Sequence, residues 1–227
     1  MKITDVKKSY GSFILSVSGL SLTPGAIHGL VGPNGGGKTT LMKLMAGLEK
    51  ADTGTIDREG LTQRDITMAP RKPYFLHDTV YRNLVYPLAL RKIQPDREQV
   101  ERYLYMAGLS GKRGDYAPGL STGEQQKLSL IRAMIFSPGL ILIDEAFSNL
   151  DMESAEMFEG YIKERQKTEP ATWVVISHQL SHIRRMCSRV LFMHGGTVKA
   201  DGPAEEIFGR PDDPDLKRYL RFDKAEA

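Results

Sequence analysis

The run Gly32-Pro33-Asn34-Gly35-Gly36-Gly37-Lys38-Thr39-Thr40 constrains this chain more than any other stretch of it. It fits the pattern G-x-x-x-x-G-K-[ST] and stands between two segments of different periodicity. Residues 26–31, Ala-Ile-His-Gly-Leu-Val, read as a short buried strand, while residues 40–48 place apolar side chains at helical spacing. A strand that turns into a helix through such a glycine-rich loop predicts a βα unit with the helix N-terminus at the turn. Small residues there let successive backbone N–H groups converge on an anion without side-chain clash. The helix behind the loop adds partial positive charge. Lys38 supplies a mobile cation for outer phosphates and Thr39 a hydroxyl for Mg²⁺.

The remainder of the chain alternates apolar, β-branched runs with helix-like segments, which favours a layered α/β architecture. Residues 66–69 read as a strand ended by Pro70, and residues 140–143 are purely aliphatic, as in a parallel strand covered on both faces. Residues 172–176 form another buried-strand run, with Trp173 expected in the core. Residues 190–193 and 197–200, on either side of Gly195-Gly196, look like a hairpin. Between them, 153–168 is charged and helical. From 79 to 135 strand signals vanish and the pattern is helix, loop, helix. The tail from Pro211 onward reads as a surface helix with a frayed end.

Composition narrows the classes. With 31 Lys and Arg against 28 Asp and Glu, the net charge is only +3 and no long basic block appears, so nothing argues for nucleic acid. No apolar run reaches the ~18 residues of a membrane span, and the N-terminus lacks the pattern of a secretory signal. The one cysteine, Cys187, permits no intrachain disulfide and suggests a reducing compartment.

The second half of a phosphate site lies in Leu140-Ile141-Leu142-Ile143-Asp144-Glu145. Asp144 ends a buried strand, where its carboxylate can hold Mg²⁺ through water. Glu145 follows and would face the terminal phosphate, placed to polarise an attacking water. His178 and His182 lie four apart, but no third metal ligand is placed near them.

With these residues in view, the chain resembles the ATP-binding cassette (ABC) ATPases. Leu120-Ser121-Thr122-Gly123-Glu124-Gln125-Gln126 looks like that family's LSGGQ-type signature and stands, as there, between the phosphate loop and Asp144. Ser148-Asn149-Leu150-Asp151 resembles its D-loop, Ile176-Ser177-His178 its switch histidine, and Tyr10 the aromatic that stacks on adenine. The resemblance covers nearly the whole chain. It implies a P-loop NTPase core with a mostly parallel sheet, an N-terminal antiparallel β part and a helical insertion subdomain. That subdomain is expected over about 73–137, with 1–72 and 138–227 forming the ATP-binding core.

The resemblance also implies the cofactors, partners and roles. Two copies would pair head to tail around two ATP molecules with Mg²⁺. Each ATP would be held by Tyr10 and the loop from Gly32 through Pro33, Asn34, Gly35, Gly36, Gly37, Lys38 and Thr39 to Thr40 of one chain. The partner chain would bring Ser121, Thr122, Gly123 and Glu124, with Asp151 linking the two sites. Thr39 and Asp144 would hold Mg²⁺, Glu145 would act as base, and His178 would contact the terminal phosphate. Separate transmembrane permease subunits are expected, docking in a groove formed after Arg71 through residues 79–84, together with an extracytoplasmic solute-binding protein. This places the chain on the cytoplasmic face of a bacterial or archaeal membrane. The C-terminal part, including Gly202-Pro203-Ala204-Glu205-Glu206-Ile207-Phe208, resembles importer ATPases of phosphate and tungstate or molybdate type.

Several positions depart from the family pattern. Arg71, in Arg71-Lys72-Pro73-Tyr74, replaces the usual glutamine. Glutamine offers a carbonyl oxygen to metal or water, whereas arginine has only donors and a fixed charge. Arg71 therefore cannot be a metal ligand; it would contact phosphate, swing out toward the membrane partner, or remain a solvated loop residue. Thr122, Gly36 and Ala146 are milder replacements. Two rival readings follow: an ABC ATPase acting mechanically on a soluble complex, and a cassette that binds ATP but hydrolyses it slowly, as a switch.

Overall fold

Aliphatic side chains that alternate between two covered faces explain the main sheet. The computed structural model describes residues 1–226, with side chains over 1–221. Strands β3 (Ile27–Val31), β5 (Ile66–Ala69), β6 (Leu140–Asp144), β7 (Thr172–Ile176), β8 (Arg189–His194) and β9 (Thr197–Pro203) form a six-stranded sheet in the order β5-β6-β7-β3-β8-β9. All neighbours pair in parallel except the hairpin β8–β9. Leu140 and Leu142 face one core with helix α1 (Lys38–Ala46), while Ile141 and Ile143 face the other with Trp173, Val175 and Phe192. Trp173 is fully buried, and its Nε1–H donates to Gln166 Oε1 at 2.9 Å, which satisfies its polar atom.

A second, antiparallel sheet in the order β2-β1-β4 is built from β1 (Lys2–Tyr10), β2 (Phe13–Ser21) and β4 (Thr53–Asp57). Its inward residues Ile3, Val6, Leu15 and Val17 meet Leu41, Met42 and Met45 of α1 in the same core. The helix thus lies between the two sheets, which fixes the direction in which its N-terminus points.

Between β5 and β6 the chain is helical, but with three helices where the sequence pattern suggests two: α2 (Val80–Arg91), α3 (Arg97–Met106) and α4 (Thr122–Met134). The extra boundary is set by Asp96, whose side chain accepts from the Glu98 N–H as an N-cap. Helix α1 also starts and ends two residues earlier than its apolar spacing suggests, because Gly47 adopts a left-handed φ of 70° and closes it. Helices α5 (Met152–Thr168), α6 (Leu180–Met186), α7 (Ala204–Gly209) and α8 (Pro214–Glu226) complete the chain. The fraying expected at the end of the tail lies outside the described residues. Because β3, β5, β6 and β7 run parallel, their carboxyl ends open on one edge of the sheet, where ligands of open α/β sheets bind.

Candidate active site

That edge carries a cleft of about 640 Å³ whose walls include Tyr10, Phe13, Lys38, Thr39, Arg71 and Glu145. The loop from β3 to α1 lines its floor. Gly32 has φ 141°, and a Cβ there would stand 2.0 Å from the Met193 carbonyl oxygen, so only glycine fits. At Gly36 a Cβ would stand close to the Pro33 oxygen at 3.0 Å and the Met193 oxygen at 3.2 Å, so serine or alanine there would need a small backbone shift. Helix α1 begins after Gly37 with no side-chain cap and no acidic residue in its first turn. Its leading N–H groups are therefore left for an anion.

Lys38 folds back over the loop, its Nζ donating to the carbonyls of Gly32 at 2.6 Å and Pro33 at 2.9 Å. Burial lowers its pKa, while the carboxylates of Glu145 and Asp144 oppose that shift and Arg71 adds to it. The Thr39 hydroxyl donates to Asp144 Oδ1 at 3.3 Å. Burial raises the Asp144 pKa, against the Thr39 hydrogen bond and helped by the neighbouring Glu145 charge. Two hard oxygen donors side by side, one of them a buried carboxyl held above its usual range, suit a small divalent cation.

Glu145 follows β6 in a left-handed conformation, φ 53°, uncommon for a residue with a side chain. The turn is held by the Glu145 N–H to the Ile176 oxygen, and by the N–H and hydroxyl of Ser148, both donating to the Glu145 oxygen. Its side chain is 6% exposed and stands between two bases. His178 Nε2 lies 2.7 Å from Oε1, and Arg71 Nε lies 3.0 Å from Oε2. The Arg71 contact is an ion pair without hydrogen-bond geometry, so Oε2 is a buried oxygen with no hydrogen bond. The carbonyl of Arg71 accepts from Gln126 Nε2 of α4 at 2.6 Å.

The residues expected from a partner chain are not in this cleft. Ser121 caps α4, with the Glu124 N–H donating to its Oγ and its own N–H and hydroxyl donating to Glu124 Oε2, a reciprocal capping box. Hydrogen bonds from Lys112 and then Ser121 push the Glu124 carboxyl down to about 2. Thr122 and Gly123 start that helix. Asp151 caps α5, accepting from the Ser154 N–H and hydroxyl, and the first of these is the main reason its pKa lies at about 2.

His182 is taken up by neighbouring side chains. It contacts buried Glu159, which Arg185 also grips through two nitrogens at 2.7 and 2.9 Å, and it stacks on Phe147. Among the described residues no group of three or more His, Cys, Asp or Glu could hold a metal ion. Cys187 is buried, and burial pushes its thiol up to about 12.

Sequence reasoning missed Phe13, Lys43 and Glu49, which line the Tyr10 end of the cleft. Tyr10 donates its hydroxyl to Glu49, which Lys43 also pairs with at 3.0 Å. No local spacing links these positions. A separate, mostly apolar groove of about 440 Å³ is walled by Leu48, Met68, Tyr74, Pro87, Leu90 and Arg132. Residues 79–84, expected to form a docking groove, start α2 and turn Val80, Asn83 and Leu84 inward.

Comparison with known proteins places the family and the fold. The family described as ABC transporter matches residues 15–148. The tungstate uptake system ATP-binding protein TupC of Peptoclostridium acidaminophilum is 36% identical over 88% of this chain and 97% of its own length. The sulfate/thiosulfate import ATP-binding protein CysA of Bacillus cereus is 30% identical over 97% of this chain and 66% of its own, so this chain spans about two thirds of that relative. The structure of an ATP binding subunit of an ABC transporter superposes with a TM-score of 0.83 at 25% identity, covering 97% of this chain and 98% of the other. A dimeric ATP-binding cassette in a post-hydrolysis state with ADP and Pi shares the fold, with a TM-score of 0.78 at 24% identity over 89% of this chain and 97% of its own. No described helix is long and apolar enough to cross a membrane. The chain belongs to the ABC transporter family and is one of its ATPases.

Proposed function

We propose that this chain binds ATP in the cleft at the carboxyl edge of the main sheet and hydrolyses it to power solute uptake through separate transmembrane subunits. The observation that carries the reading is the convergence of a phosphate loop, a metal-suited pair and a buried carboxylate at one edge of the sheet, from the ends of the parallel strands β3 and β6. Tyr10 stacks on adenine; the N–H groups after Gly35 and Gly36 and at the start of α1, with Lys38, hold the phosphates. Thr39 and Asp144 would hold Mg²⁺, which would supply positive charge to offset that developing on the phosphate oxygens. Glu145 orients the attacking water and accepts its proton at Oε2. His178 steadies Oε1 of the same carboxylate and reaches the terminal phosphate.

The N-terminus of α4, with Ser121 and Gly123, completes the anion site of a second copy, which makes a head-to-tail homodimer the working form. Its Ser121 hydroxyl must leave Glu124 to do so. The exposed apolar groove at Tyr74 and Leu90 receives the membrane subunits, so the chain sits at the cytoplasmic face of the membrane. The transported solute we assign is a tetrahedral oxyanion, on the strength of the tungstate and sulfate relatives, delivered by an extracytoplasmic binding protein.

The test is Glu145→Gln. It should keep ATP binding but cut turnover by ~10²-fold or more, the scale of a general base. Normal hydrolysis in that variant removes Glu145 from the role. A mild-detergent pull-down of the tagged chain from native membranes should bring a polytopic membrane protein; capture of soluble partners alone would replace transport with a mechanical role.

A further inference from the structure

Apart from the Lys43–Glu49 pair at the Tyr10 end, the cleft holds one charged group that the reaction as described does not use. Arg71 leaves the end of β5 at the phosphate side of the cleft. Its side chain is 63% exposed, and the only side-chain partner it has among the described residues is the 6% exposed carboxylate of Glu145. Two consequences follow from that asymmetry. The guanidinium gives up little solvation and little packing if it moves, since exposed ion pairs are weak. The carboxylate, by contrast, is fixed by its left-handed backbone and by His178, so any exchange of partners has to be made by Arg71.

As long as the pair persists, Oε2 of Glu145 faces a cation rather than water, and Oε1 faces His178. The guanidinium then stands where a water would have to meet Oε2. A bound nucleoside triphosphate brings into the same cleft an anion with more charge than a carboxylate and with the paired oxygens that a guanidinium fork prefers. A diphosphate lacks that outermost group.

We infer that Arg71 is a positioning residue that senses the terminal phosphate: it holds Glu145 in the nucleotide-free chain and exchanges that carboxylate for the terminal phosphate of a bound triphosphate, which frees Oε2 for water. No bond is made or broken in this exchange; a guanidinium changes partner. Gln126 sets where it happens, because its amide fixes the Arg71 carbonyl to α4 and leaves only the side chain to swing. The inference rests on the reading of Glu145 as the water-facing group.

The test is equilibrium binding of ATP and of ADP in EDTA, where no hydrolysis occurs, to the wild type, Arg71→Gln, Arg71→Lys, Glu145→Gln and the double variant. Arg71→Gln should lower the ratio of ATP to ADP affinity about tenfold, the scale of one charge-assisted hydrogen bond. Arg71→Lys should recover part of that ratio, keeping the charge but not the fork. Glu145→Gln should raise the ratio in the Arg71 background and much less in the Arg71→Gln background. An unchanged ratio in Arg71→Gln, or an equal effect of Glu145→Gln in both backgrounds, overturns the inference. A failure of Glu145 as the base would show in turnover instead and leave these ratios as they are. Melting curves confirm that each variant is folded, which the exposure of Arg71 favours.

Discussion

The hydroxyl of Thr39 donates to Oδ1 of Asp144 across 3.3 Å, tying the first turn of α1 to the end of β6, two strands away from β3. Burial holds the Asp144 carboxyl above its ordinary range. A carboxyl with a raised folded-state pKa contributes stability at acid pH that is lost as pH rises through the folded value. At neutral pH the ionised group is therefore a cost that a divalent cation would relieve. Asp144→Asn should melt at the same or a higher temperature in EDTA, each ~1 kcal/mol regained being worth ~2–4 °C in a chain of this size. The extra stabilisation that Mg²⁺ gives beyond ATP alone should disappear. Thermal melts with ATP, with and without Mg²⁺, read both effects, and a variant that keeps the full Mg²⁺ increment would take Asp144 out of the metal site.

Ser121 has two candidate roles that one substitution separates. As the N-cap of α4 it is replaceable by aspartate, which caps equally well, whereas alanine costs ~1 kcal/mol. As a contact to the partner's terminal phosphate it is not, because aspartate repels that anion. Ser121→Asp should therefore melt within about 2 °C of wild type, a shift corresponding to under ~1 kcal/mol, yet lose ATP-dependent dimerisation, whereas Ser121→Ala should lower the melting point and weaken dimerisation only in part. Analytical ultracentrifugation with ATP in the Glu145→Gln background reads the second property. Unimpaired dimerisation of Ser121→Asp would leave the residue as a cap alone.

The signature role of Ser121 was legible in the sequence, whereas its capping role came from the structure, although Ser121 and Glu124 stand at the spacing of a capping box. The same holds for Asp151, three residues before Ser154. The phosphate loop and the Asp144-Glu145 pair were legible because their chemistry is set by contiguous residues at the end of buried strands. The partner of Arg71 was not, since it lies 74 positions away and is chosen by strand order, β5 beside β6. The N-terminal sheet was hard to delimit for a local reason. Only Ile3, Val6 and few others point inward along β1, and its pairing with β4 shifts register between Thr4 and Lys7, where Asp5 has φ 49° and crowds Gly54. That bulge breaks the period of two on which a strand is recognised.

His28 predicts an acid-side weakness. It is fully buried in β3, its Nε2 3.0 Å from the Thr23 N–H and its Nδ1 3.2 Å from the Trp173 oxygen, which is the pattern of a neutral ring. Burial lowers its pKa, and the hydrogen bond to Trp173 offsets only part of that. The unfolded chain then binds the proton more readily than the folded one, so stability is lost as pH falls below ~6.5, the ordinary histidine value. Urea unfolding at pH 7.5 and pH 5.5 should show a larger loss for wild type than for His28→Gln, although the variant starts lower by ~1–3 kcal/mol from its imperfect hydrogen bonds. Equal losses in the two proteins would assign the acid sensitivity to other groups.

Leu90 offers a way to separate membrane docking from catalysis. It is 56% exposed in the groove that Tyr74 and Leu48 also leave open, and Arg91 beside it stacks its guanidinium 3.6 Å above the Phe136 ring. A carboxylate at this exposed position in the last turn of α2, two residues before the C-cap Lys92, meets the negative end of the helix and should cost no more than ~1 kcal/mol. Placed in an apolar docking groove, the same carboxylate would be desolvated without a partner and should weaken association by ~10-fold or more. Leu90→Asp should therefore hydrolyse ATP at the wild-type rate as an isolated chain while failing to retain a polytopic membrane protein in the detergent pull-down. If the variant still brings that protein down at wild-type yield, the membrane subunits dock elsewhere. If its own hydrolysis falls as well, the groove is coupled to the cleft within a single chain, and Gln126, which joins α4 to the Arg71 carbonyl, becomes the next residue to change.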